Sequence, residues 1–183
     1  MFRLIAFVVL SAGLIYISRA SLRTPRSHGF YRFFVWEFIL ALVLLNLPVW
    51  FVAPFAWYQL LSWMLLLVCI VPLVFGIHSL RSQGKPDAQR QTEPQLLAFE
   101  KTSRLVTTGI YRYIRHPLYS SLLLLTWGVF FKAPGVPGGV LALAATVCLV
   151  ATARADEAEC LGFFGPAYYT YMQKTKRFVP FVF

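Results

Sequence analysis

Long apolar runs separated by short, basic polar blocks dominate this chain. The runs cover residues 4–17, 33–53, 56–77, 118–131 and 140–153. No charged residue occurs between Phe38 and Ile77. A helix needs about 20 mostly apolar residues to span the hydrocarbon core of a bilayer. The pattern therefore predicts an all-α integral membrane protein with about five transmembrane helices.

The first three runs differ in how they begin and end. The run 4–17 is short and follows Arg3, as in a secretory signal peptide, but the arginine-rich block at 19–32 follows it directly and resists translocation. We therefore expect an uncleaved first helix. Pro54 marks a tight turn between the second and third runs. Glu37 near the start of the second run either snorkels beside Arg32 or has a buried polar role.

The last two runs predict a helical hairpin. Pro117 suits the first turn of a helix, and Lys132 with the glycine- and proline-rich stretch after it makes a sharp break. Beyond residue 153 the chain becomes polar and aromatic. Phe164, Tyr168 and Tyr171 share one helical face, which predicts a C-terminal helix lying in the membrane interface.

Composition and charge narrow the class of protein. Hydrophobic residues make up 58% of the chain and charged residues only 13%, which excludes an ordinary soluble domain. The net charge of +10 is compatible with nucleic-acid binding. However, 15 of the 17 basic residues fall in three blocks that alternate helices bring to one side: 18–32, 78–116 and the tail from residue 154. The positive-inside rule then favours an outside N-terminus, a cytoplasmic C-terminus and no nucleic-acid partner.

Neither a metal site nor a disulfide framework is indicated. The three cysteines form no CxxC pair, and the three histidines have no paired spacing. Two polar clusters are more informative. One spans 109–119 before the fourth run, and the other begins at Arg154 and includes Asp156 and Glu157. A hairpin would make these clusters neighbours. Taken singly, their arginines could be topology anchors, their tyrosines interfacial aromatics and their acids solvated charges.

The two clusters together resemble a known superfamily. Residues 105–121, LVTTGIYRYIRHPLYSS, are similar to the signature LVT-x-G-x-Y-x-x-x-R-H-P-x-Y-x-G of the isoprenylcysteine carboxyl methyltransferases and phospholipid N-methyltransferases. Asp156-Glu157, Phe164-Gly165, Tyr168, Tyr171 and Arg177-Phe-Val-Pro180 follow the order of the second motif in that superfamily. The resemblance covers roughly 101–183. It divides the chain into transmembrane helices 1–3 with a loop (1–100) and a methyltransferase-like region (101–183).

The resemblance implies a small integral membrane enzyme that uses S-adenosyl-L-methionine to methylate a lipophilic acceptor. That acceptor would be the carboxylate of a prenylcysteine-like molecule or the amine of a phospholipid. The residues implied for the cofactor site are Leu105, Val106, Gly109, Tyr111, Arg115, His116, Tyr119 and Glu157. Glu157 and His116 would also be the catalytic acid–base candidates, Arg115 would fix the motif or the cofactor carboxylate, and Arg154 would engage an anionic substrate group.

Two positions depart from the superfamily pattern. Ser121 stands where glycine is usual, so its side chain could narrow the site. Asp156 replaces the first glutamate of the acidic pair and is one methylene shorter. The third run also lacks a clear Gly-x-Gly, a feature of the phospholipid branch.

Two other function classes stay open on the sequence. A non-catalytic membrane scaffold, binding a partner within the bilayer, would need the same apolar helices. An NADPH-dependent membrane reductase of the sterol type has a related R-H-P-x-Y region, although 183 residues are few for such an enzyme. The sequence leaves the oligomeric state undetermined.

Overall fold

The computed structural model describes residues 1–84 and 102–180, and these are helical with short connections. The helices are α1 (Phe2–Leu22), α2 (His28–Asn46), α3 (Trp57–Val68), α4 (Ile70–Gln83), α5 (Pro117–Phe130), α6 (Val136–Phe164) and α7 (Pro166–Lys174). Four segments are long and apolar enough to cross a membrane: α1, α2 with the 3₁₀ turn Leu47–Val49, α3 continued by α4, and α6. The apolar α5 is shorter. The prediction of an all-α membrane protein with about five spans is confirmed.

Contacts between helix ends show that successive spans alternate in direction. The start of α2 meets the end of α6, where His28 Nδ1 lies 2.6 Å from Glu159 Oε2. The end of α2 meets the end of α5, where Asn46 donates to the carbonyl of Val129 at 2.8 Å. We call the first end of the bundle the site end and the opposite one the distal end. The α5–α6 hairpin follows the sequence prediction.

Small residues allow α2 and α6 to pack closely. Ala142, Ala145 and Ala153 on α6 are fully buried, and Val35 and Leu42 on α2 are fully buried as well. The side chains that face away from this core are apolar and exposed, including Ile5, Val9, Leu67 and Val147. An apolar outer surface around a tightly packed core is what a lipid solvent requires.

Glu37 is half-buried and makes a polar contact with the neighbouring helix. Its carboxylate accepts hydrogen bonds from the hydroxyl of Ser11 on α1, at 2.8 and 2.9 Å. The guanidinium of Arg32 lies 5.2 Å from the ring centroid of Trp36. A carboxylate that binds a neighbouring helix helps hold α1 to α2 within the apolar region.

Several sequence-predicted boundaries were wrong. α1 extends to Leu22 and α2 begins at His28, both inside the polar block 18–32. The fifth apolar run was expected to end at residue 153, but α6 continues to Phe164 and carries Asp156 and Glu157 inside the helix. The first polar residues end the apolar run without ending the helix, because alanine, glutamate and leucine are good helix formers and the acids are paired. Similarly, α4 continues past residue 77 to Gln83. The stretch 88–99, expected to be a loop or short helix, and the division at residue 100 lie outside the described residues.

Proline and buried polar side chains shape the remaining connections. The break between α3 and α4 falls at Cys69, three residues before Pro72, whose ring removes one helical N–H. At the distal end, Ser62 donates to the carbonyl of Gly128 at 2.7 Å. Asn46 and Ser62 thus add hydrogen bonds to carbonyls in the last turn of α5, where regular helical partners run out.

Candidate functional site

The segment before α5 is held against α4 by a glycine. Gly109 has φ of +63°, and a Cβ built on it would lie 2.9 Å from Ser79 Oγ on α4. Both the left-handed backbone and the close approach favour glycine. The following 3₁₀ turn, Gly109–Arg112, delivers Tyr111 to the interior, where it is buried. Gly109 therefore lets the segment before α5 lie close against α4.

The chain after α7 pairs with the residues that precede α5. Ile114 and Lys176 form a parallel bridge, with Arg115 N donating to Lys176 O at 2.8 Å and His116 N donating to Arg177 O at 3.1 Å. Ser120 Oγ donates to Phe178 O at 2.8 Å. We call residues 175–178 the C-terminal strap. The strap fixes the backbone from which the predicted site side chains project.

Glu157 is the acceptor that joins these two segments. Its Oε1 lies 2.9 Å from Arg115 Nε and 3.0 Å from Arg177 Nε, and its Oε2 lies 2.7 Å from Arg177 Nη2. His116 Nε2 is a further 3.3 Å from Oε1. The carboxylate side chain is 6% exposed. Charge-assisted bonds to two guanidinium groups at such low exposure make Glu157 a structural ion-pair centre.

His116 lies between the two acids of the pair. Its Nδ1 is 3.3 Å from Asp156 Oδ2, its Nε2 points to Glu157, and its ring stacks on Tyr119 with centroids 5.2 Å apart. Burial opposes the charged form of His116, but the hydrogen bonds and charges of Asp156 and Glu157 outweigh it, so the pKa is raised above its ordinary value. An imidazolium donates from both nitrogens, which matches the two carboxylates.

Asp156 is held from one side and open on the other. Its Oδ2 accepts from the hydroxyl of Tyr119 at 3.1 Å and faces His116 Nδ1. Its Oδ1 lies 3.6 Å from the thiol sulfur of Cys160, one helical turn further along α6. The side chain is 24% exposed, four times the exposed fraction of Glu157. Asp156 thus combines a fixed carboxylate with an accessible edge.

These groups surround a cavity of about 110 Å³ at the site end. Its walls come from α4, the segment before α5, the first turn of α5, α6 and α7. The lining residues are Leu80, Thr102, Arg104, Leu105, Val106, Tyr111, Arg115, His116, Leu118, Tyr119, Asp156, Cys160, Phe164, Tyr168 and Tyr171. Six of the residues predicted for the cofactor site are among them: Leu105, Val106, Tyr111, Arg115, His116 and Tyr119.

Three predicted site residues lie elsewhere. Gly109 packs on α4, and Glu157 binds arginines beside the cavity without lining it. Arg154 is exposed on α6 and does not line the cavity. Ser121 does not narrow the site either. It is buried, and its hydroxyl donates to the carbonyl of Leu118 at 2.7 Å.

Arg115 joins several elements around the cavity. Besides Glu157, its guanidinium donates to the carbonyl of Met172 at 3.1 Å and to that of Thr175. It therefore fixes the motif by tying the segment before α5 to α6, α7 and the C-terminal strap. Arg104, which the sequence did not single out, is exposed at the rim of the cavity.

The aromatic residues expected in the membrane interface form one wall of the cavity. α6 ends at Phe164, and the φ of +58° at the next residue, Gly165, turns the chain into α7. Phe164 and Tyr168 stack with centroids 6.4 Å apart, and Tyr171 donates to the carbonyl of Tyr111 at 2.7 Å. Burial raises the pKa of Tyr168 and of Tyr171, so both hydroxyls are neutral. The prediction that the three share one helical face was wrong, because the turn at Gly165 puts Phe164 on α6 and the two tyrosines on α7. All three nevertheless line the cavity.

The sequence placed Asp156 near His116 and Tyr119 but gave it no role of its own. Cys160, Arg177 and this aromatic wall had no predicted site role. Arg177 was visible only as part of the motif that ends the resemblance. Its structural role is specific: hydrogen bonding to Glu157 raises the pKa of its guanidinium and keeps it charged. The order of the motif residues along the chain was therefore enough to point to Arg177. Its role as an ion-pair partner of Glu157 became visible only in the folded structure.

Comparison with protein families gives one match. Residues 91–162 match the family described as phospholipid methyltransferase. This confirms the resemblance. The match covers the segment before α5, the α5–α6 hairpin and the acidic pair, which are most of the walls of the cavity. It supports a membrane methyltransferase in general. No curated protein and no solved structure matches the chain.

Proposed function

We propose that the protein is an integral membrane methyltransferase that uses S-adenosyl-L-methionine and transfers the methyl group to a lipophilic acceptor. The observation that carries the proposal is the cavity itself. It brings the R-H-P-x-Y residues of one motif and the aspartate of the other to one place at the end of an apolar helical bundle. Perturbed ionisable groups in a cleft are typical of functional sites.

The lining residues fit the chemistry of this cofactor. A sulfonium and an amino group are cationic, and Asp156 offers them an exposed carboxylate edge. The rings of Tyr111, Tyr119 and Tyr168 can contact a cation or a purine through their faces. Arg104 at the rim can pair with a carboxylate. When bound, the cofactor supplies an activated methyl group, so catalysis needs mainly positioning.

The residues around the cavity divide into contact and positioning roles. Asp156 would touch the cofactor or acceptor, and His116 and Tyr119 would hold its carboxylate in one orientation. Glu157 would act through Arg115 and Arg177, which fix the segment before α5 and the C-terminal strap. The aromatic wall formed by Phe164, Tyr168 and Tyr171 would exclude water from the transfer.

This assignment changes the expected acid–base chemistry. Both ring nitrogens of His116 face carboxylates, and Glu157 faces two guanidinium groups, so neither presents a free lone pair to the cavity. A carboxylate acceptor, as in a prenylcysteine, requires no general base. An amine acceptor, as in a phospholipid, must lose a proton, and Asp156 would then accept it. The acceptor would enter from the bilayer, while the basic site end would face the cytoplasm.

Calorimetric titration with S-adenosyl-L-homocysteine tests the proposal. The wild-type protein in detergent should bind, and Asp156→Asn should weaken binding at least about ten-fold, the usual effect of losing a charge-assisted contact. Glu159→Gln is the matched control, because Glu159 is also an acid of α6 but binds His28 and does not line the cavity. Circular dichroism of both variants would verify folding.

Absence of binding by folded wild-type protein would refute the proposal. The scaffold hypothesis would then be favoured, and a titration with NADPH would test the reductase alternative. If Asp156→Asn and Glu159→Gln weakened binding equally, the contact role of Asp156 would be wrong.

A further inference from the structure

The distal end of the bundle contains a buried lysine that the proposed methyl transfer does not use. Lys132 follows α5 and is 1% exposed. Its ammonium donates to Gln59 Oε1 at 3.0 Å, and it lies 3.3 Å from the ring centroid of Trp63 and 5.3 Å from that of Trp50. Gln59 is itself held by the carbonyls of Lys132 and Val49, at 3.0 and 3.3 Å. A neutral amide and two indoles thus surround a cation.

The described part of the chain supplies no anion to this cation. Glu37 binds Ser11 on the α1 side. Asp156, Glu157 and Glu159 lie at the site end, and the length of α6 from Val136 to Asp156 puts about 30 Å between the two ends. Burial lowers the pKa of Lys132. A buried charge is costly unless it is paired, and buried ionisable groups beside a groove commonly mark binding sites.

A groove beside Lys132 has room for a ligand. Its volume is about 370 Å³, and it is lined by Val49, Val52, Trp57, Tyr58, Lys132, Ala133 and Pro134. Lys132 is the one charged residue in this lining, while valines, an alanine, a proline and two amphipathic aromatics form the rest. The groove lies at the level of the helix ends, where a bilayer places its headgroups. An anion joined to an apolar body matches that lining.

We propose that Lys132 and this groove bind the phosphate of a glycerophospholipid from the leaflet at the distal end, opposite the methyl-transfer cavity. The phosphate supplies the counter-charge that the described residues lack, and the acyl chains lie along exposed apolar residues of α3 such as Leu60 and Met64. The bound lipid would be structural and separate from any methyl acceptor. The proposal does not depend on the proposed function.

Native mass spectrometry of the full chain in detergent tests this site. The probes are dioleoylphosphatidylglycerol and dioleoylglycerol, which share acyl chains and differ in the phosphate-bearing headgroup. The wild type should retain one phosphatidylglycerol more tightly than dioleoylglycerol, and Lys132→Met should weaken that retention about ten-fold. Arg23→Gln, which removes an exposed cation at the site end, should leave this tightest lipid unchanged.

A second variant keeps the test informative if Lys132→Met does not fold. Val52→Trp fills the groove from its exposed side without altering the contacts of the ammonium. It should also lose the tightly held lipid. Retention of that lipid by folded Val52→Trp, equal retention of dioleoylglycerol by the wild type, or displacement of the lipid by inorganic phosphate alone would each overturn the assignment.

Discussion

Replacing Glu157 by glutamine tests whether this residue is the ion-pair centre of the site. The substitution keeps the size of the side chain and removes the charge that accepts from Arg115, Arg177 and His116 at 2.7–3.3 Å. Removing one partner of a buried ion pair costs about 3–5 kcal/mol. Because the side chain of Arg177 is 19% exposed and can recover some hydration, we expect the lower end, about 3 kcal/mol.

The free energy of unfolding can be measured by titrating the detergent-solubilised protein with sodium dodecyl sulfate and following helicity by circular dichroism. A loss of about 3 kcal/mol changes the unfolding equilibrium roughly 150-fold. Arg154→Gln serves as the control, since this exposed residue of the same helix should change stability by less than about 0.5 kcal/mol.

A double-mutant cycle measures the coupling energy between Glu157 and Arg177. Arg177→Met alone leaves Arg115 on the carboxylate, so it should cost less than Glu157→Gln. The double variant should be more stable than the sum of the single effects implies, by about 1 kcal/mol or more. If Glu157→Gln had the stability of the wild type, or if the two substitutions were additive, the ion-pair account of this residue would fail.

Three further predictions concern other parts of the site. Because the pKa of His116 is raised, its charged form contributes stability that is fully present below the ordinary pKa of 6.5 and is lost as the pH rises through the folded-state pKa. His116→Gln should therefore flatten the dependence of the unfolding free energy on pH, measured in unfolding titrations at several pH values. Tyr171→Phe deletes the hydrogen bond to the carbonyl of Tyr111 and should lower the unfolding free energy by about 1–2 kcal/mol. The exposed Tyr169→Phe should change it hardly at all, and equal effects would contradict the role of that bond. Gly109→Ala should lose about 1–2 kcal/mol because φ is +63°, while Gly162→Ala, with open space around its Cβ position, should be neutral or slightly stabilising; a neutral Gly109→Ala would show that the segment before α5 relaxes freely.

The class of fold followed from sequence because lipid imposes a simple rule on composition. Each apolar run must form a helix that satisfies its own backbone, so run length and the prolines at 54 and 117 predicted the spans and the hairpin. Helix ends were less predictable. Asp156 and Glu157 ended an apolar run, but their partners His116 and Arg177 let the helix continue through them.

The sequence predicted which residues come together at the site but did not predict their individual contacts. The order of the motifs predicted that His116, Tyr119 and the acidic pair would be neighbours, and they are in contact in the fold. The sequence could not show that Asp156 lines the cavity while its neighbour Glu157 does not. One helical position rotates a side chain by about 100°, so one acid turns to the cavity and the next to the arginines. The exposure of Arg154 likewise follows from its angular position on α6.

The C-terminal strap has a consequence for biosynthesis. Translation and membrane insertion proceed from the N-terminus, so α5 enters the bilayer while the residues at 175–178 are still unmade. At that stage Arg115 and the backbone N–H of His116 lack the carbonyls that later accept from them. The segment before α5 therefore lacks these backbone partners until residues 175–178 have left the ribosome. The walls at the site end should therefore reach their final packing only after synthesis has passed this segment.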